Sequence, residues 1–261
     1  MNNSVDITIS LVSYNQRHDL EKLLPTLMPA ADLVHSEILL VDNRSIDGTS
    51  EWAHKNYPFV NTLFNPNKAG YGENHNLNLQ RVCGRYFVIM NSDMIVSPNT
   101  FSVLRDYMDQ HPDVGIVSPK VLNEDGSIQG LNKRYPTLFD LFLRRLMPKF
   151  LQSFFRRRLD YYEMRDVGYD QICDVPFLSG AFMFCRTDLL KSLGGFDPGY
   201  FLYFEDADLC RRVQQTHRTV YYPATGVTHY WERAAHKNWK FSWIFMQSAW
   251  LYFNRWGWKL F

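Results

Sequence analysis

The residues best suited to chemistry are acidic and sit among aromatics. Glu205-Asp206 follows Phe201-Leu202-Tyr203-Phe204 and leads into Ala207-Asp208-Leu209-Cys210. Upstream lie Ser179-Gly180-Ala181-Phe182-Met183-Phe184-Cys185-Arg186 and the turn Gly194-Gly195-Phe196-Asp197. A glycine-bounded strand, a short helix and a Gly-Gly turn thus deliver carboxylates into poorly solvated surroundings. Such carboxylates are costly unless paired, metal-bound or used as proton acceptors. Acidic residues can simply complement the dipole of a first helical turn. That reading leaves the flanking aromatics and the Gly-Gly-Phe-Asp turn unexplained.

Three other polar clusters each stop an apolar run: Ser13-Tyr14-Asn15, Asp42-Asn43-Arg44-Ser45 and Asn91-Ser92-Asp93. At a strand end, Asp42 can accept a hydrogen bond from a base imide or a ribose hydroxyl, or it can open an Asx-turn. Ligand contact is favoured for Asp42; Asp47, before Gly48, reads as structural. Gly70-Tyr71-Gly72 opens a helix, where exposed amides suit an anion such as a diphosphate. It is not a dinucleotide fingerprint, because no third glycine arrives in register.

The elements that position these clusters alternate. Strands are predicted at Ile7 to Val12, Glu37 to Val41, Val60 to Phe64, Tyr86 to Met90 and Val114 to Ser118. Helices fall between them at Asp19 to Met28 (Asp19 as N-cap), Ser50 to Asn56, Glu73 to Val82 and Thr100 to Gln110. Continuous apolar strands in this βαβ rhythm predict an α/β fold with a mainly parallel sheet covered on both faces, binding ligands at the strands' carboxyl ends. The rhythm breaks from Leu131 to Asp170, read as a helical or irregular insertion over the mouth of the site. It resumes with strands from Cys173, a helix from Glu205 to Gln215, a strand from Thr219 to Tyr222 and a proline-containing turn before His229.

Composition bounds the class. The chain of 261 residues is 46% hydrophobic and 21% charged, an ordinary folded protein. Its net charge of +1 argues against nucleic-acid binding, which needs a basic surplus. Four cysteines without a C-x-x-C pair read as scattered thiols in a reducing compartment. The polar start carries no secretory signal and no apolar run approaches the ~20 residues that span a bilayer. A soluble or peripheral protein of the cytoplasm is expected. The division expected is one domain over 1–238, built of two halves (1–120 and 121–238), and a tail over 239–261. That tail is rich in Trp and Phe with Lys240, Arg255 and Lys259. It fits an interfacial membrane helix or a helix packed on the domain, and the run Arg156-Arg157-Arg158 fits anionic lipid or a solvated face.

In their order these motifs resemble the family-2 glycosyltransferases, and the bacterial rhamnosyltransferases within them, over nearly the whole chain to about His229. The resemblance implies a GT-A (Rossmann-like) fold with a helical insertion and a C-terminal helical tail. It implies that Ser13-Tyr14-Asn15 holds the nucleotide base, with Tyr14 available for stacking. Val41 to Thr49 matches the family's strand-Asp-turn-Asp-Gly-Thr pattern. Gly70, Gly72 and Asn76 match its Gly-Phe-Gly…Asn segment. Asn91-Ser92-Asp93 stands where the family carries Asp-x-Asp, whose last Asp binds a divalent cation, Mg²⁺ or Mn²⁺, that bridges two phosphates. Asn91 and Ser92 then face the nucleotide sugar, and Asp93 is the main metal ligand because Asn91 lacks the charge. His229 falls near a third cation ligand of the family, with a structural role or His236 as alternatives. Asp206 is implied as the base and Glu205 as supporting or acceptor-binding, with the reverse assignment open.

The activity so implied is inverting transfer of L-rhamnose from dTDP-rhamnose to a lipid-linked saccharide, in O-antigen or other surface polysaccharide assembly. It is placed on the cytoplasmic face of the inner membrane, with peripheral membrane contact. Asn91 keeps open a relative that binds sugar nucleotides without turnover. A sugar nucleotidyltransferase would need a glycine-rich loop after the first strand, and Ser13-Tyr14-Asn15-Gln16-Arg17 has none.

Overall fold

The computed structural model describes residues 5–145, 147–230 and 239–261. The first half runs β1 (Ile7–Ser13), α1 (Arg17–Asp32), β2 (Ser36–Asp42), α2 (Thr49–Asn56), β3 (Val60–Phe64), α3 (Tyr71–Leu79), β4 (Tyr86–Met90), β5 (Met94–Val96), α4 (Thr100–Gln110) and β6 (Val114–Leu122). The second half holds α5 (Leu138–Arg145), α6 (Lys149–Gln152), a 3₁₀ turn (Ser153–Phe155), α7 (Arg156–Tyr162), β7 (Cys173–Asp174), β8 (Phe182–Arg186), α8 (Thr187–Ser192), α9 (Glu205–Val213), β9 (Arg218–His229) and α10 (Trp239–Trp256).

Among the described residues these strands form one sheet in the order β3-β2-β1-β4-β8-β6-β9-β5, with β7 on β9. Strands β1, β2, β3, β4, β6 and β9 share one direction, and β5, β7 and β8 oppose it. Side chains alternate between two cores, as the pleat demands. Tyr86, Val88, Met90, Phe182 and Phe184 face Leu20, Leu24, Phe101 and Leu104 of α1 and α4. Phe87, Ile89, Met183 and Cys185 face Leu79, Leu190, Leu209 and Val213 of α3, α8 and α9.

Two predicted boundaries move. Helix α1 starts at Arg17, so Asp19 lies in its first turn instead of capping it, and the helix runs through Pro25 and Pro29 to Asp32. Strand β9 is continuous through Pro223, because the register on β6 shifts between Pro119 and Lys120 and the bulge absorbs the missing donor. The segment 131–170 is helical in short pieces, too short for a periodic signal. The cysteines are free thiols, and Cys83 is exposed while Cys185 and Cys210 are buried. Among the described residues no helix is long and apolar enough to cross a membrane.

One face of the tail helix packs on the domain. Ala249, Tyr252 and Phe253 are buried with Phe177, Tyr200 and Phe204 in a third cluster. Trp256 Nε1 donates to Asp208 at 2.9 Å, and Arg211 donates to the Tyr252 hydroxyl at 2.8 Å. Phe253→Ala should therefore cost about 3–5 kcal/mol, whereas Trp243→Ala, on the opposite exposed face, should stay within about 0.5 kcal/mol of wild type. Urea unfolding of the two variants checks both; equal losses would mean the helix does not pack this way round.

Candidate active site

The carboxyl ends of β1, β2 and β4 gather most of the predicted residues, and β9 brings the last. Loops after β1 and β2 are knitted together: Ile46 N–H donates to Asn15 Oδ1 at 2.8 Å and Asn15 N–H to Ser45 Oγ at 2.9 Å. Asn15 takes a left-handed conformation there (φ 54°). The Tyr14 ring stands exposed at this rim, while the Ser13 and Ser92 hydroxyls are buried without a hydrogen-bond partner.

Asp42 builds the turn. It is buried, and its two oxygens accept from Ser45 N–H at 2.8 Å and Ser50 Oγ at 2.5 Å. Asp42 thus makes the Asx-turn, with one hydrogen bond to each oxygen, which leaves a further lone pair on each. Asp47 is structural as expected, accepting from Thr49 and from the Arg17 N–H of α1. Burial opposes its ionised form, but these donors outweigh it and leave the pKa below the usual value.

Gly70 and Asn76 make close contacts within the chain. A Cβ on Gly70 would lie 2.5 Å from the Phe201 carbonyl oxygen, so glycine is required by backbone approach. Tyr71 N–H donates to that carbonyl at 3.0 Å and Gly70 N–H to the Glu73 carboxylate at 3.3 Å. Asn76 bridges the Phe196 backbone, accepting from its N–H at 2.8 Å and donating to its carbonyl at 2.7 Å. Both residues clamp α3 to the segment before the acidic pair.

The acidic pair opens α9. Tyr203 and Phe204, just before it, are both left-handed (φ 72° and 68°). Glu205 is buried with Oε2 lacking a partner, whereas Asp206 is only half-buried. Asp206 Oδ2 accepts from Gly180 N–H at 3.0 Å and Oδ1 from Ala207 N–H at 2.9 Å. Burial, and then the Asp206 charge, push the Glu205 carboxyl well above its usual range. Burial also raises Asp206, opposed by the Gly180 N–H and the Lys133 ammonium. Glu205 is therefore the protonated partner and Asp206 the open carboxylate.

Across from this pair, Asn91, Asp93 and His229 converge. Strand β5 pairs with β9 so that Met94 faces His229. His229 Nε2 lies 3.0 Å from Asp93 Oδ1 and 3.3 Å from the Asn91 amide. Gln129 Nε2 donates to the His229 carbonyl at 2.9 Å, so Gln129 Oε1, 2.9 Å from Nδ1, must receive the Nδ1 proton. With Nδ1 carrying the proton, the Nε2 lone pair points toward Asp93 and Asn91, where it can accept from the Asn91 amide or ligate a cation. His236 lies outside the described residues. Among the described residues no group of three or more His, Cys, Asp or Glu forms a metal cluster; the third donor here is the Asn91 amide. One carboxylate, one imidazole and one amide oxygen suit Mg²⁺ or Mn²⁺.

Tyr71 joins the two clusters, its hydroxyl 2.8 Å from the Gly180 carbonyl and 3.0 Å from the Asn91 Oδ1. A phenol has one proton, and if Gly180 takes it the Asn91 amide can turn its NH₂ to Tyr71, which leaves its oxygen to share a bound cation with Nε2. Burial and then the charges of Glu205, Asp206 and Asp93 raise the Tyr71 pKa, keeping it a neutral donor. Beneath Tyr71, burial pushes His75 down to about 3, so it stays neutral. Lys133 sits over the Phe177 ring at 5.0 Å, and burial with the Arg144 charge brings it down to about 8. Tyr71, Gln129 and Lys133 were not singled out from sequence. Only Tyr71, inside the Gly-x-Gly turn, carried a local signal.

A mixed α/β sheet with an acidic pair facing a carboxylate–imidazole–amide cluster at the strand ends has the architecture of a GT-A glycosyltransferase. The family described as "Glycosyltransferase like family 2" matches residues 6–248, and the chain belongs to it. It is a glycosyltransferase. The N-acetylglucosaminyl-diphospho-decaprenol L-rhamnosyltransferase of Mycobacterium tuberculosis is 27% identical over 242 residues, covering 86% of this chain and 76% of its own. Rhamnosyltransferase WbbL of Escherichia coli K12 is 24% identical over 233 residues, covering 86% and 83%. The mannosyltransferase PcManGT of Pyrobaculum calidifontis, solved with GDP-Man and Mn²⁺, superposes with TM-score 0.61 at 18% identity over 90% of this chain and 59% of that one. At that identity the likeness establishes the fold.

Glu205 gives a pH test. A carboxyl whose folded pKa is raised adds stability below its unfolded pKa, near 4.5, and loses it as pH rises through the folded value. Glu205→Gln should thus raise Tm relative to wild type at pH 7–8 and leave it unchanged or lower at pH 4. A Tm difference that is flat across this range would contradict the protonated, buried state.

Proposed function

We propose that the chain transfers L-rhamnose from dTDP-rhamnose, with inversion, to a hydroxyl of a lipid-linked saccharide. The observation that carries the reading is the open Asp206 carboxylate, fixed by Gly180 N–H and joined through Tyr71 to the Asn91–Asp93–His229 cluster. The rhamnosyltransferase names of two curated relatives support the sugar, and the first of those names supports a diphospholipid-linked acceptor.

In this reading the acceptor hydroxyl lies against Asp206. Its oxygen attacks the anomeric carbon as the bond from that carbon to the diphosphate breaks, and its proton passes to Asp206. Glu205, protonated, orients the acceptor without competing for that proton. Tyr14, Ser13 and Asn15 form the base end of the donor site, and Asn91 and Ser92 line its sugar-diphosphate end. Asp93 and His229, with the Asn91 oxygen, would hold Mg²⁺ or Mn²⁺, which when bound supplies charge neutralisation for the leaving diphosphate. The division into donor half 1–120 and acceptor half 121–238 goes with this reading, as do surface-polysaccharide assembly and work at the cytoplasmic face of the inner membrane.

Isothermal titration of dTDP-rhamnose against UDP- and GDP-sugars, with Mg²⁺ or Mn²⁺, tests the donor. Selective binding of dTDP-rhamnose is expected; preference for another base or sugar would overturn that part. Asp206→Asn should lower kcat by about 10²–10⁴ and leave donor Kd nearly unchanged, and turnover near wild type would remove Asp206 as base. Asp93→Ala should abolish cation-dependent donor binding. Gln129→Leu should weaken cation affinity about 10–100-fold by freeing the His229 ring. Unchanged cation titrations in both variants would place the cation elsewhere.

A further inference from the structure

The outward face of α10 is apolar and exposed among the described residues. Trp239, Trp243, Met246 and Trp250 recur at intervals of four, three and four, and are 62–75% exposed. Such spacing keeps them on one side of the helix, opposite Ala249, Tyr252 and Phe253. Trp258, Leu260 and Phe261 continue the exposed run. Four exposed indoles close together are unusual for a purely solvated surface.

A second patch lies beside it. Phe150 and Phe154, in α6 and the 3₁₀ turn, are 73% and 81% exposed. The two patches meet through α5. Leu138 N–H donates to the Lys259 carbonyl at 2.9 Å and Phe139 N–H to the Leu260 carbonyl at 3.1 Å. The Phe139 ring touches both Phe155 at 5.6 Å and Phe261 at 5.3 Å. Arg145 reaches Ser242 at 3.3 Å and covers Phe245 at 4.2 Å.

Charge selects the occupant. Residues 141–158 hold five Arg and one Lys with no Asp or Glu, and residues 239–261 hold two Lys and one Arg with none, in a chain of net charge +1. Acids from flanking segments pair some of these: Arg144 with Glu163, Arg156 with Asp160, Arg158 with Asp140, and Arg255 with Asp197. The surplus is still basic and borders the tryptophans. Indoles with a basic fringe match the headgroup zone of an anionic bilayer, where the ring partitions at the interface and cations meet lipid phosphates. A second copy of the same face would set like charges against each other.

We propose that the outer face of α10, with Phe150 and Phe154, docks on an anionic lipid surface and sets the acidic pair beside it. The orienting link is direct. Ser248, on the inner face of α10, donates to the Leu202 carbonyl at 2.8 Å, and Phe245 and Tyr252 pack on Phe204 at 5.2 Å, immediately before Glu205-Asp206. A docked helix therefore brings that loop to the bilayer surface, where an acceptor on a lipid anchor would be met. The catalytic use of docking rests on the lipid-linked acceptor proposed above; the docking itself does not.

Sedimentation of the full chain with vesicles of phosphatidylglycerol and phosphatidylethanolamine, compared with phosphatidylcholine alone, tests it. The wild type should partition to the anionic vesicles, less so at high salt. Trp243→Ser with Trp250→Ser should weaken partitioning about 10-fold or more while keeping the wild-type Tm and donor affinity. Equal partitioning of wild type and variant, or none by the wild type, overturns the proposal. A wild-type dimer that the same variant dissolves, without vesicle binding, overturns it in favour of a second copy. Failure of docking with transfer to a lipid-linked acceptor intact would leave the transferase reading standing, and vesicle binding without rhamnose transfer would do the reverse.

Discussion

The structure turns on a strained corner. Tyr203 and Phe204 both occupy left-handed backbone, which costs a bulky residue on the order of 1–3 kcal/mol each. The strain persists because their rings are held: Phe204 against Phe245, Tyr252 and Phe253, and Tyr203 against Phe245. Only with the corner held can α9 begin with Glu205 turned inward and Asp206 turned toward the opening. The aromatic tail is thus the buttress of the acidic pair, and Asp208 locks it in place through Trp256 and Arg255.

Opposite this corner, the sheet's mixed direction does the positioning. A purely parallel sheet would bring only the ends of β1, β2 and β4 to one edge. Strand β9 bends at its bulge and pairs with the short antiparallel β5, which sets His229 beside Asp93. Gln129 then fixes the ring's tautomer from behind. The two clusters are kept in relation by one phenol, Tyr71, rather than by the sheet alone. Lys133 adds a cation whose field favours the ionised form of Asp206, against the burial that disfavours it.

Apolar runs of β-branched residues made the central strands legible, and the order of polar stops made the site's edge legible. Individual contacts were not. Asp42, Gly70 and Asn76 have the residue types that bind ligands, and each also serves the chain itself: a turn, a close backbone crossing and an amide clamp. A sequence names donors and acceptors without saying which are already engaged. Gln129 and Lys133 were hidden for the complementary reason, since each reaches the site across long sequence separation with no neighbouring motif, and Tyr71 stood inside a motif read for its glycines. The tail posed a choice between packing and lipid because its helix has two apolar faces. Composition registers their sum, and only the fold separates them.

Three glycines leave no clearance between α3 and the segment that carries the acidic pair. Added Cβ atoms would meet the Phe201 backbone at Gly70, the Phe196 ring at Gly72 and the Asn76 amide at Gly195, each within 2.6 Å. Residues from the two halves of the chain therefore interlock like a key and its ward. A chimera that exchanged the first 120 residues with those of a relative would inherit a mismatched ward unless residues 195–201 travelled with α3. Divergence in donor and acceptor preference must then proceed by change around this joint, in the rim loops and the insertion, and not by shuffling of halves.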